Sequence, residues 1–146
     1  MKLTKEQFLA LKPCPEAIKF AESVDFDFEK GWSTCERGDW MIWLIKKLHW
    51  SRHSNTPVNW LLIAQKCAEH VKHLNSYGSR PDAASAAAYV AAATYADAAT
   101  HAAAATYAAD AAAYTAAYGG SNYADYAAEK KWQADMIREV VKLSFE

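Results

Sequence analysis

Between Ala83 and Ala117, 22 of 35 residues are alanine, and no glycine or proline falls between Pro81 and Gly119. Alanine loses no side-chain entropy in a helix and has the highest intrinsic helix propensity. The segment 83–118 therefore reads as a helix, started by Pro81-Asp82 and stopped by Gly119-Gly120. It is not a membrane span, because Asp97, His101 and Asp110 interrupt it and alanine has little drive into lipid. It is not an ice-binding face either: Thr94, Thr100, Thr106 and Thr115 scatter around a helix that turns about 100° per residue. Two faces do emerge. Ala91, Ala98, Ala102, Ala105, Ala109 and Ala116 form a heptad seam of methyl groups that another helix can approach closely. Tyr89, Tyr107, Tyr114 and Tyr118, with Thr100, share a second face suited to burying rings while keeping hydroxyls near water or a partner. Unbroken, the segment would be ~52 Å long, whereas a compact chain of this size is about 35–40 Å across. Either it bends near Asp97–Thr100, or it projects and pairs with a second copy to make a homo-oligomer.

The flanking sequence punctuates into further helices. Thr4-x-x-Gln7 is a capping box for a short helix ending before Pro13, and Pro15 suits the first turn of "PEAIKFAES". A third helix covers "DFEKGWSTCE" despite Gly31. Gly38 punctuates, and Asp39 is a good N-cap for "WMIWLIKKLHW", apolar nearly all round and hence central. Thr56-Pro57 opens "VNWLLIAQKCAEHVKHL", and "NSYGSRP" is a loop. The last helix is amphipathic, with Trp132, Met136, Ile137, Val140 and Val141 on its buried side. No segment alternates with period two. The expected fold is all-α: a single-domain helical bundle over 1–146, with a Trp/basic helical half (1–74), a loop (75–82), the Ala-rich helix (83–118) and a C-terminal helix (121–146).

A net charge of −1 on 146 residues argues against wholesale binding to nucleic acid or an anionic membrane. The opening "MKLTKEQFLA" reads as a helix start rather than a leader. Cys14, Cys35 and Cys67 show no C-x-x-C spacing and read as reduced, mostly buried thiols, which points to the cytoplasm. No nucleophile elbow, phosphate loop, dinucleotide fingerprint or zincin motif is present, so the chain is expected to be non-enzymatic and to use no cofactor. Cys67, His70 and His73, at i, i+3 and i+6, fan too widely to converge on a metal. His70 borders an apolar face and reads as a satisfied buried histidine.

Charge is uneven. Seven acids and three bases lie between Glu16 and Asp39, against six bases and one acid between Lys46 and Arg80. Five of six tryptophans fall between Trp32 and Trp60. Trp40, Trp43, Lys47 and Trp50 share one helical face. In one reading the tryptophans are core and Lys47 snorkels. In the other, indoles stack on a planar ligand while cations neutralise its phosphates. The candidate ligand-binding set is Trp40, Trp43, Lys46, Lys47, His49, Trp50, Arg52, His53 and Arg80, with Tyr89, Tyr107, Tyr114 and Tyr118 as a candidate interface.

Trp32, Cys35, Asp39, Trp40, Trp43 and Leu44 form a Trp-x-x-Cys-x-x-x-Asp-Trp-x-x-Trp-Leu block ahead of the alanine-tyrosine half and a terminal "MIREVVKLSF". In this the chain resembles the alanine-rich helical immunity-protein family of bacteria and phages. The resemblance implies a non-enzymatic role in conflict between toxins, phages and hosts, and it assigns no ligand. The mechanism expected is sequestration of a small anionic aromatic ligand such as a nucleotide-derived signal. The alternative is direct blocking of a toxin or nuclease protein, for which the acidic N-terminal segment suits a basic partner.

Overall fold

The computed structural model describes residues 3–50, 58–70, 98–120 and 123–142. Among them are seven helices and no strand: α1 (Lys5–Ala10), α2 (Pro15–Ser23), α3 (Phe28–Thr34), α4 (Gly38–Trp50), α5 (Trp60–His70), α6 (Ala98–Gly120) and α7 (Tyr123–Val140). The fold is all-α. No helix among the described residues is long and apolar enough to cross a membrane. Residues 83–97 of the Ala-rich segment, the loop at 75–82, and Arg52, His53, Arg80 and Tyr89 lie outside the described residues.

Local signals place the first helices. Thr4 Oγ1 accepts from the Gln7 amide at 3.2 Å while Gln7 Oε1 accepts from the Thr4 amide at 2.9 Å. That reciprocal box satisfies two donors that a helix start leaves open. Pro15 occupies the first turn of α2. Asp27 caps α3 by accepting from Lys30 N–H at 3.0 Å, and α3 is shorter than its sequence suggested, because Cys35 is already extended. Between α2 and α3, Asp25 and Phe26 both have φ of 54°, a conformation that is unusual for a bulky side chain. Packing holds Phe26 there: its ring meets Phe8 edge-on at 6.4 Å and lies under the Lys5 ammonium at 4.6 Å.

α4 begins at Gly38, so Asp39 is a first-turn residue and not the N-cap expected from sequence. Close packing sets this start: a Cβ on Gly38 would lie 2.5 Å from Gln133 Cβ and 3.0 Å from the Ala134 nitrogen. The α4 backbone thus touches α7 directly. Beyond that point α4 lies between two hydrophobic clusters. Met41, Ile42 and Ile45 join α5, α6 and α7 in the main core. Leu48, with half-buried Trp43 and Leu44, joins Leu3, Phe8 and Ala21 in a second one. This explains why α4 is apolar nearly all round.

The Ala-rich helix is central to the fold, because α6 packs against α4, α5 and α7. Ala102, Ala105 and Ala109 of the seam are buried, and so are Ala104, Ala108, Ala111, Ala112 and Ala113. Only Ala103, Tyr107 and Asp110, at i, i+4 and i+7, are exposed between 102 and 113. Methyl groups leave room for helices on several sides at once, so one seam became a broad buried surface. The described seam positions Ala102, Ala105 and Ala109 are covered by helices of the same chain. Arg138 on α7 completes the assembly: it donates to the carbonyls of Trp32 at 2.9 Å and Cys35 at 2.8 Å. It thereby satisfies acceptors that the end of α3 leaves open.

Candidate functional site

The antiparallel contact of α4 with α6 leaves a cleft of about 250 Å³, lined by Asp39, Ile42, Trp43, Lys46, Thr106, Ala109 and Asp110. Helical spacing builds both walls. Asp39, Trp43 and Lys46 lie one turn apart along α4, and Thr106 and Asp110 do the same on α6. Lys46 Nζ donates to Thr106 Oγ1 at 3.1 Å, and the Thr106 hydroxyl in turn donates to the Ala102 carbonyl at 3.0 Å. Partial burial lowers the Lys46 pKa; the Asp110 carboxylate opposes that shift and Lys47 adds to it.

At the other end stands Lys130 of α7, whose side chain is 1% exposed. Its ammonium lies 3.5 Å from Asp110 Oδ1 and 3.8 Å from Asp39 Oδ1. Arg37 holds Asp39 in a fork, Nε to Oδ1 at 2.9 Å and a terminal nitrogen to Oδ2 at 2.7 Å. Burial opposes ionisation of Asp39, but the Arg37 hydrogen bonds and the Lys130 charge outweigh it and hold the carboxyl below its usual range. One end of the cleft therefore carries a cation on a hydroxyl, and the other carries two carboxylates around a buried ammonium.

A polar layer on α7 continues behind Lys130. Gln133 Nε2 donates to the Ala109 carbonyl at 2.8 Å and to Glu129 Oε1 at 3.1 Å. Glu129 Oε2 is 2.8 Å from His70 Nδ1, and the His70 ring stacks on Trp132 at 3.6 Å, 5° from parallel. His70 is satisfied, as its position on α5 suggested, but its side chain is 36% exposed. Cys67 is fully buried, and burial foremost, with the Glu129 charge, pushes its thiol pKa far up. A thiol held protonated in this way is not a nucleophile.

The residues singled out from sequence separate in the structure. Trp43 and Lys46 line the cleft; Trp40 and Lys47 do not. Trp40 lies 6.0 Å from Phe20 and 4.5 Å under the Arg37 guanidinium, while Trp43 meets Phe8 edge-on at 6.4 Å. Of the stripe, Trp40 thus packs on the main core and Trp43 on the second cluster. His49, Trp50, Tyr114 and Tyr118 sit on α4 and α6, but their side chains lie outside the described set. Tyr107 is 43% exposed. Trp40 and Trp43 also border an apolar cavity of about 70 Å³ together with Phe8, Phe20, Phe28 and Trp32. A cavity that accepts benzene is about 150 Å³, so this one is a packing gap.

Sequence reasoning missed Lys130, Asp110 and Asp39 as a group, because α4, α6 and α7 bring them together from distant positions. It also missed Gln133 and Glu129. The available signal was helical: Lys130 and Gln133 lie seven and four residues before Ile137, on the same buried stripe. Comparison of the chain with protein-family models, curated proteins and solved structures finds no match.

Proposed function

We propose that this chain is a non-enzymatic binding protein that sequesters a small anionic aromatic ligand, nucleotide-derived, in the α4–α6 cleft. The observation that carries the reading is that Lys46 and Trp43, a cation and an indole, line one cleft of about 250 Å³. Ligand sites of drug-sized molecules span about 300–1,000 Å³; the cleft lies just below that range, so a small ligand bound there stays partly open to solvent. The setting, conflict between bacteria and phages, rests on the resemblance carried by Trp32, Cys35, Asp39, Trp40, Trp43 and Leu44.

Lys46→Met tests this reading. It removes a partly desolvated cation and keeps its volume, so the thermal midpoint of the free protein should hold or rise. Calorimetric affinity for nucleoside 5′-monophosphates should fall about 10-fold or more, the worth of a charge-assisted contact. Undiminished affinity in the Lys46→Met protein would place the ligand elsewhere.

One observation favours the second reading, direct blocking of a basic toxin or nuclease: Glu16, Glu22, Asp25, Asp27 and Glu29 are all exposed along α2 and α3. A stoichiometric complex that is lost on Glu22→Lys with Glu29→Lys would support it, and one indifferent to that charge reversal would reject it.

A further inference from the structure

The cleft is bipolar, and its polarity narrows the ligand. Lys46 stands seven residues from Asp39 along α4, about 10 Å of helix axis, and Thr106 stands four from Asp110 along α6, about 6 Å. A ligand that spans the cleft carries an anion at the Lys46 end and hydrogen-bond donors at the other. The backbone charges of a free amino acid are too close together to span it, since its ammonium and carboxylate are borne on one carbon. A polyphosphate lying along the cleft would set negative charge against two carboxylates. At the donor-seeking end the two acids are not equivalent. Both Asp39 oxygens are held by Arg37. Asp110 has only its Oδ1 near an ammonium, at 3.5 Å, its side chain is 53% exposed, and its Oδ2 accepts no hydrogen bond from the described residues. Asp110 lines the cleft, and a carboxylate is an acceptor-only group.

We propose that the cleft selects a guanine nucleotide, with its phosphate at Lys46, its base against Trp43, and the guanine N1–H and 2-amino group donating to the Asp110 carboxylate. This rests on the sequestration reading of the same cleft. Guanine is the base with two adjacent donors on its pairing edge. Hypoxanthine keeps the N1–H and lacks the amino group. Adenine sets an amino donor beside the N1 lone pair, which faces the carboxylate unfavourably. Thr106 accepts one of the three ammonium N–H bonds of Lys46 and so positions it.

Titration calorimetry of the full chain with GMP, IMP and AMP tests the assignment. GMP should bind about 10-fold or more tightly than either IMP or AMP, because leaving a charged acceptor without its donor costs that much. Asp110→Asn converts an acceptor pair into a donor and an acceptor, so it should weaken GMP about 10-fold or more and strengthen AMP. Lys46→Met should weaken all three alike. Equal affinity for the three nucleotides in the unaltered protein overturns the guanine assignment and leaves the cleft reading standing. Absence of binding by all three overturns both. The comparison among nucleotides needs no variant, so a folding defect in Asp110→Asn does not blunt it.

Discussion

Gly31 and Gly38 both lie in short helical stretches of the Trp-rich half, yet a methyl group should act on them in opposite directions. At Gly31 a Cβ would meet Val24 Cγ2 at 3.5 Å and Phe20 Cε1 at 3.8 Å, ordinary contacts. Gly31→Ala should therefore stabilise by up to about 1 kcal/mol, the helix-propensity difference. At Gly38 the same methyl would press on Gln133 Cβ and on the α7 backbone. Gly38→Ala should cost about 1–3 kcal/mol by overpacking. Urea unfolding of the two variants checks the pair, and equal midpoints would mean that α4 and α7 are not in backbone contact. A second residue-scale expectation concerns acid. The folded-state pKa of Asp39 lies below its unfolded value, so the stability it contributes is full above about pH 4 and is lost as pH falls through the folded value. Between about pH 5 and pH 2 the urea midpoint of the unaltered protein should drop more steeply than that of Asp39→Asn. Parallel profiles would show that the carboxylate gains nothing from Arg37 and Lys130.

Helix by helix, α6 and α7 show how far periodicity reaches. Composition alone settled that α6 is helical, and spacing found its seam at Ala102, Ala105 and Ala109. The covering of Ala104, Ala108 and Ala111 by other helices was not legible, since alanine is equally at home in a core and on a surface. Position therefore has to be tested by size. Ala105 is fully buried and Ala103 is exposed; Ala105→Leu should destabilise by about 1–3 kcal/mol, while Ala103→Leu should stay within about 0.5 kcal/mol of the parent. Thermal and urea melts of the two proteins distinguish a close-packed α6 from one that is merely a good helix former. On α7 and just past its end, Met136, Ile137 and Val141 are buried as expected, while Trp132 and Val140 are only partly so. Lys130, Gln133 and Glu129 extend the same stripe and are buried too. Their polar character disguised them, since such side chains are almost never fully buried unless paired.

For the molecule as a whole, Lys130 joins the fold to the candidate site. Its partners do not depend on it equally: Asp39 keeps the Arg37 fork, and Asp110 remains half open to water. Lys130→Met leaves no carboxylate both buried and unpaired, so its thermal midpoint should be unchanged or higher, as when buried ions give way to an apolar side chain of similar size. A large fall in the midpoint would show that the ammonium supports the three-helix junction itself. The sequence by itself determined the helical class, the cap at Thr4, the first-turn proline of α2, and the apolar faces of α4 and α7, because these follow from propensities and spacings within a few residues. Only the tertiary structure decided which tryptophans diverge, that Lys46 lines the cleft while Lys47 does not, and that Asp39, Asp110 and Lys130 meet. Those outcomes depend on where three helices cross, and a crossing is set by the packing of side chains far apart along the chain.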